Sequence, residues 1–284
     1  MAKDPVAYKV SLVNGDDLSV LKTILRLHSN HEMVQRGLVQ RLLTLSPNLL
    51  NISLEKLYQL HLIRKTNVRG RESFRITFTG MDVLSIKELS MRGVIKSIGE
   101  VIGVGKESIV YLGENFNGEK IAIKLYTIKR TSFRNFRKTR EIEKKIDWIA
   151  MSIQSAKTEY RNLECVSRKG GKVPKPYGHY LNAVVMEYFN GKELQRVFTN
   201  KPSEIFDEII ATVNIAYNEC NVIHSDLSPY NVLVNGEDIR VIDWSNSSHD
   251  RLKLEKDIGN IITYFNKKYN FSKSVTEILD LVRG

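Results

Sequence analysis

The chain has 284 residues, 42% hydrophobic and 26% charged, a composition that excludes wholesale disorder and at about 150 residues per domain suggests two domains. No window approaches the roughly 20 consecutive apolar residues of a membrane span, and Met1-Ala2-Lys3-Asp4-Pro5 opens no apolar signal region, so neither a membrane nor a secretory route is expected. The net charge of +11 favours polyanionic partners, while Cys165 and Cys220, outside any Cys-x-x-Cys pair, predict small buried residues with no disulfide partner in a cytoplasmic protein.

The first ninety residues read as a small helical unit ending in a hairpin. Asp16 or Asp17 caps a helix with Leu18, Leu21, Ile24 and Leu25 inward. A second helix carries Val34, Leu38 and Leu42, and a third follows Ser53 as N-cap, with Leu54 and Leu57 inward. After Leu62–Thr66 comes a turn rich in Asn67, Arg69, Gly70 and Arg71, then an alternating strand that puts Phe74, Ile76 and Phe78 on one face. Three helices and a basic hairpin describe a winged helix-turn-helix, a unit that lays its hairpin on a phosphate backbone. Arg64, Lys65, Arg69, Arg71 and Arg75 against Glu72 fit that use. A protein-docking domain and a merely solvated surface are the competing readings. Thr79-Gly80-Met81-Asp82 matches a capping box opening a helix to about Arg92, which closes a domain spanning residues 1–92.

From Gly93 the pattern turns to short strands, Ser97–Gly103, Ile109–Leu112 and Lys120–Leu125, and becomes helical again after Gly191. Gly103-Val104-Gly105-Lys106-Glu107-Ser108-Ile109-Val110 follows the kinase pattern G-x-G-x-x-G-x-V, with Ser108 in place of the third glycine. Such a loop lets backbone N–H groups reach phosphate without a Cβ in the way. Ile121-Ala122-Ile123-Lys124 places a lysine 14 residues past Val110, where it would neutralise nucleotide phosphates and pair with a helix glutamate, for which Glu159 is preferred over Glu164. Ala183-Val184-Val185 leads into Met186-Glu187-Tyr188-Phe189, a candidate hinge whose Glu187 and Phe189 backbone would meet adenine.

His224-Ser225-Asp226-Leu227-Ser228-Pro229-Tyr230-Asn231 carries the strongest signal, H-x-D-L-x-x-x-N. Asp226 would take or orient the proton of the attacking hydroxyl, Asn231 returns from the same loop to bind metal, and Asp243 closes the next strand as the second metal ligand. Oxygen donors of this kind suit Mg²⁺ or Mn²⁺. His224 reads as structural.

Two departures from ordinary protein kinases narrow the reading. Lys124 and Glu159 lie 35 residues apart, separated by a basic run holding Lys129, Arg130, Arg134, Arg137, Lys138, Arg140, Lys144 and Lys145. After Asp243 only 41 residues follow, with no Ala-Pro-Glu triplet. The sequence here resembles the RIO family of atypical serine/threonine kinases. The residues that carry the likeness are Lys106-Glu107-Ser108, the basic run, Glu159-Tyr160-Arg161-Asn162-Leu163, Pro174-Lys175-Pro176, His224-Ser225-Asp226 and Ile242-Asp243-Trp244. The winged helix resembles that of the family's second subfamily, and the short C-terminal end is similar to archaeal members.

The resemblance implies an α+β fold, a winged helix-turn-helix followed by a trimmed bilobal kinase-like domain over 93–284, with lobes of about 93–187 and 188–284. It implies ATP and Mg²⁺ or Mn²⁺ as cofactors, autophosphorylation on serine, and a role in maturing the small ribosomal subunit. An ATPase role through phosphorylation of Asp243 is implied as well. Carried over, the catalytic residues are Asp226, Lys124 and Asn231, and the metal ligands Asn231 and Asp243. ATP would meet Gly103, Gly105, Lys106, Glu107, Ser108, Val110, Ala122, Lys124, Glu159, Met186, Glu187, Phe189 and Ile242. The partners implied are the small-subunit precursor and its rRNA, bound through the winged helix and the basic loop, where Thr127, Thr131, Ser132 and Thr139 are candidate phosphorylation positions. An aminoglycoside- or choline-type small-molecule kinase and an rRNA-binding assembly factor using ATP as a switch stand as alternatives.

Overall fold

The computed structural model describes residues 5–28, 31–128 and 147–283. The basic run from Lys129 to Ile146, with Thr131, Ser132 and Thr139, lies outside the described residues. The fold is mixed helix and sheet, as expected, and forms two compact units: residues 1–119, 123–153 and 180–183 in the first, 120–122, 154–179 and 184–284 in the second. The units divide inside the kinase-like region.

The first unit opens with α1 (Pro5–Leu12), which sequence reading missed, and α2 (Gly15–His28). The cap of α2 sits earlier than Asp16 or Asp17. The Asn14 side chain accepts from the Asp17 N–H at 2.9 Å and the Asp17 carboxylate accepts from the Asn14 N–H at 3.0 Å, so the two residues cap each other. Val34 belongs to β1 (Val34–Gln35), and the second predicted helix starts after it as α3 (Arg36–Leu42). The third is α4 (Pro47–Gln59), capped by Ser46 with Pro47 in its first turn, while Ser53 is buried mid-helix. β2 (Ile63–Val68) and β3 (Arg71–Ile76) form the hairpin, in sheet order β1-β3-β2. Arg69 and Gly70 both hold positive φ, 52° and 76°, as a tight two-residue hairpin turn requires.

α5 (Phe78–Met91) is capped by Thr77, two residues before the Thr79 of the predicted box. Its third residue must be small, because a Cβ on Gly80 would overlap the Leu62 carbonyl oxygen. Leu21 and Ile24 of α2, Leu50 and Leu57 of α4, Phe74 and Ile76 of β3, and Met81 and Leu84 of α5 close one apolar core. This is the winged-helix arrangement that the sequence pattern suggests.

Beyond α5 run β4 (Ser97–Val104), β5 (Ser108–Glu114) and β6 (Lys120–Tyr126). They join β7 (Pro176–Tyr180) and β8 (Ala183–Glu187) in a sheet of order β4-β5-β6-β8-β7. Within the first unit the β7–β8 turn meets α5 through Asn182, which is fully buried. Its amide donates to the Asp82 carboxylate at 2.6 Å and to the Tyr126 carbonyl at 2.8 Å, and its side-chain oxygen accepts from Ser85 at 2.9 Å.

In the second unit α6 (Trp148–Arg168) supplies residues from Gln154 onward. β9 (Lys192–Glu193), β10 (Val232–Asn235) and β11 (Asp238–Val241) form a small sheet against α7 (Pro202–Asn214), α8 (Arg251–Tyr269) and α9 (Val275–Arg283). Phe206 and Phe265, edge to face at 5.3 Å, stand at the centre of its core.

Cys165 and Cys220 correct the sequence reading. They are half-buried, and their sulfurs are bonded at 2.09 Å with Cα atoms 6.0 Å apart. Their separation of 55 residues has no local spacing to betray it; α6 and the π-helical turn that continues α7 bring them together. Closing a loop of that length removes unfolded-state entropy worth about 4 kcal/mol. Reduction is therefore expected to lower the urea midpoint, and Cys165→Ala to match the reduced wild type. Identical midpoints with and without reductant would show that the bond adds nothing to stability.

Candidate active site

The first unit carries the glycine loop and Lys124. β4 and β5 pair with two register shifts on the way to Gly103, and Gly103 faces Val110 across the hairpin. The turn Gly105-Lys106-Glu107 is closed by the Gly105 N–H donating to the Ser108 carbonyl at 2.8 Å. Neither glycine needs its freedom for the fold, since a Cβ at Gly103 or Gly105 would find only ordinary contacts at 3.5 Å or more. What the missing side chains leave open is the approach of a ligand to the backbone. Thr127 is tied to this loop, its N–H donating to the Glu107 carbonyl at 2.7 Å. Lys124 is buried on β6, with its ammonium 5.0 Å from the centre of the Tyr126 ring.

The second unit holds Ala122, Glu159, Met186, Glu187, Phe189, Asp226, Asn231, Ile242 and Asp243. Glu159 is 1% exposed on α6, and Ala122 and Met186 are buried strand residues. At the hinge the Glu187 N–H is spent on the Lys175 carbonyl at 2.8 Å. The Phe189 carbonyl accepts from the Gly191 N–H at 2.9 Å, and among the described residues the Phe189 N–H donates to nothing. The Glu187 carbonyl and that N–H, two residues apart, match the donor and acceptor of an adenine edge. Phe189 is closely packed: Arg240 lies over its ring at 4.8 Å, and a Cβ on Gly191 would come within 2.6 Å of that ring. Arg240 in turn grips the Glu187 carboxylate through two bonds of 3.0 and 3.2 Å.

The catalytic loop is built from buried polar bonds. Ser225 and Asp243 both adopt left-handed backbone conformations, with φ of 73° and 69°, which is uncommon for residues other than glycine. Asp257, on the buried face of α8, holds the first of these. Its two carboxylate oxygens accept from the Ser225 N–H at 2.6 Å and the Leu227 N–H at 2.9 Å. Burial raises the Asp257 carboxyl above the usual carboxylate range, and the two N–H bonds draw it part of the way back. Asn260, one turn further along α8, donates to the Leu227 carbonyl at 3.0 Å.

His224 is structural, as expected. Its Nδ1 accepts from the Asp226 N–H at 3.3 Å and its Nε2 faces the Ile242 carbonyl at 2.8 Å, partners that assign the hydrogen to Nε2. Asn231 donates its amide to the Asp226 carbonyl at 2.9 Å, which leaves the Asn231 side-chain oxygen to a ligand, while the Ile242 N–H donates to the Asn231 carbonyl at 2.9 Å. Asp243 accepts from Ser245 at 3.1 Å, and the next residue, Trp244, is fully buried. The Trp244 carbonyl is held by the Asn162 amide at 2.9 Å. Asp226, Asn231 and Asp243 are thus tied into one loop system, with the Asp226 side chain exposed.

Asp257, Asn260 and Asn162 were not singled out from sequence. For Asp257 a signal exists: an acid on the apolar stripe Leu254, Ile258, Ile261 of an amphipathic helix needs a buried partner. The donor set of one carboxylate and one amide oxygen fits Mg²⁺, which takes a pair of protein oxygens and completes its shell with phosphate and water. No group of three or more His, Cys, Asp or Glu able to hold a metal occurs among the described residues.

Residues 109–278 match the RIO domain, and residues 10–92 match the Rio2 N-terminal domain. The chain belongs to the RIO family, in its Rio2 subfamily. The RIO-type serine/threonine-protein kinase Rio2 of Methanocaldococcus jannaschii is 32% identical over 240 residues, which cover 78% of this chain and 87% of that protein. The serine/threonine-protein kinase rio2 of Schizosaccharomyces pombe is 25% identical, covering 95% and 81%. The rio2 of Dictyostelium discoideum is 27% identical over 95% of this chain, which spans only 53% of that relative's length. Among solved structures, the Rio2 kinase of Chaetomium thermophilum in its ADP/Mg²⁺-phosphoaspartate complex superposes with a TM-score of 0.81 at 20% identity, over 96% of this chain and 87% of that one. The RIO fold is therefore that of this chain. No described helix is long and apolar enough to cross a membrane.

Proposed function

We propose that this RIO chain is an ATP-dependent serine kinase and ATPase that autophosphorylates and acts in the cytoplasm on the maturing small ribosomal subunit. The observation that carries the catalytic part is the loop system in which Asp257, Asn162 and His224 hold Asp226, Asn231 and Asp243. In this reading Asp226 orients the attacking hydroxyl and takes its proton, Lys124 offsets phosphate charge, and Asn231 and Asp243 would hold Mg²⁺, which when bound neutralises charge on the phosphates. The hinge carbonyl of Glu187 and N–H of Phe189 receive adenine. The ADP/Mg²⁺-phosphoaspartate complex of the Chaetomium kinase supports the ATPase reading. There the γ-phosphoryl would pass from ATP to the Asp243 carboxylate, ADP would leave, and water would cleave the acyl phosphate. The test is to incubate the protein with γ-labelled ATP and Mg²⁺, alone and with small-subunit precursors, and to measure labelled protein and released phosphate separately. Absence of both label and phosphate release under every condition would reject the reading.

The ribosomal part rests on the basic wing and on the basic run from Lys129 to Lys145. Arg64 and Arg69 are exposed, and among the described residues neither has an ion pair. Binding of rRNA should weaken with salt, with a slope of about −0.7 per phosphate contact on single strands. Arg69→Glu combined with Arg71→Glu is expected to flatten that slope by at least about 1.4 while autophosphorylation persists. An unchanged slope and unchanged subunit affinity would transfer the winged helix to a protein partner.

A further inference from the structure

The chemistry of the winged helix points away from the long exposed face of α4 and towards its C-terminal end, which carries Tyr58, at the free edge of β2. The exposed face of α4 carries Asn48, Leu49, Asn51, Ile52, Glu55 and Gln59, with no cation among them. Its one lysine, Lys56, is tied to Asp17 at 2.7 Å. A helix of this composition is poorly suited to a duplex groove, where phosphates flank the helix on both sides. Along β2, which has no strand on its outer side, lies a cleft of about 510 Å³. Tyr58, His61, Arg64, Lys65, Phe78 and Thr79 are among the residues that line it.

The lining has the features of a nucleotide site. Tyr58 is 40% exposed and makes no ring contact among the described residues. His61 holds a positive φ of 57°, at an exposed position on the lip. Arg64 sits directly opposite Arg75 across the hairpin, a like-charge pair that works against the sheet. The acid nearest Arg75 is the highly exposed Glu32, at 3.8 Å. Lys65 is held in place by Glu72 at 2.6 Å, a bond that raises its pKa and keeps it cationic. One cation that folding does not call for, Arg64, beside an unstacked aromatic ring, suits a phosphate followed by its base.

We propose that this cleft takes one unpaired nucleotide of single-stranded RNA, its phosphate on Arg64 and its base stacked on Tyr58. The proposal rests on the reading that the chain binds RNA, and it names the form of RNA and the residues that select it. Fluorescence anisotropy of the full chain would compare a labelled single strand of roughly ten nucleotides with an RNA duplex. Tyr58→Ala is expected to weaken the single strand about 5- to 150-fold, the worth of one base stack, and to leave the duplex within about twofold. Tyr58→Phe should bind as wild type does, because stacking needs the ring and not the hydroxyl. Arg64→Ala should weaken the single strand and reduce its salt slope by about 0.7. Unchanged autophosphorylation and melting temperature would certify the fold of each variant.

Wild-type affinity in both Tyr58→Ala and Arg64→Ala would overturn the cleft, and so would equal losses for strand and duplex. Loss of affinity in Arg69→Glu with Arg71→Glu, beside an unaffected Tyr58→Ala, would remove the cleft and keep the RNA-binding wing. A wild-type chain that binds neither RNA would remove both.

Discussion

Asp226→Ala is expected to lower phosphoryl transfer by about 10²–10⁴ while ATP binding in the presence of Mg²⁺ stays close to wild type. The Asp226 side chain is exposed, and its backbone supplies the bonds that hold the loop: its N–H reaches His224 and its carbonyl receives Asn231. Removing the carboxylate leaves both in place, so only the proton-handling group is lost. Asp243→Ala should separate from it by weakening Mg²⁺-dependent nucleotide binding. Transfer at wild-type rate by Asp226→Ala, or undiminished binding by Asp243→Ala, would place the chemistry elsewhere.

The second large effect belongs to a residue that touches no substrate. Asp257→Ala strands the Ser225 and Leu227 N–H groups in a buried setting, at about 1–3 kcal/mol for each donor left without a partner. A loss of about 2–6 kcal/mol in a urea titration is expected, together with loss of transfer, because Ser225 gives up the bond that holds its left-handed backbone. Asp257→Asn keeps one acceptor and should fall between. A variant that folds with intermediate stability but aligns Asp226 poorly would lose transfer while still binding nucleotide. Wild-type stability and transfer in both variants would deny Asp257 its positioning role.

The catalytic loop was legible in the sequence because its chemistry fixes its spacing. Asp226 and Asn231 must leave and re-enter one short loop, and Asp243 must follow the next hairpin, so three residues could be placed by counting. The supports were not legible, because Asp257, Asn260 and Asn162 come from other helices and act through tertiary contact. Cys165 and Cys220 failed for the same reason. The caps expected at Asp16 or Asp17, Ser53 and Thr79 fall instead at Asn14, Ser46 and Thr77, each ahead of the first buried turn. The segment read as the hinge lies at the end of β8. Its Glu187 N–H was unavailable because Lys175 lies beside it, a pairing that no local pattern announces.

The buried Asn182 decides whether the winged helix is portable. Asp82 and Ser85 belong to the stretch that matches the Rio2 N-terminal domain, while Asn182 and Tyr126 belong to the RIO domain, and the four share one set of bonds. Arg92 over the Tyr180 ring at 4.6 Å adds a second link across the same seam. A transplant of residues 1–92 into a foreign host would carry Asp82 and Ser85 without the amide they clasp. A protein begun at residue 93 would leave that amide with the Tyr126 carbonyl alone, on the strand of Lys124. The two stretches are halves of one scaffold, and any recombination that separated them would have to bring both sides of the seam or rebuild it.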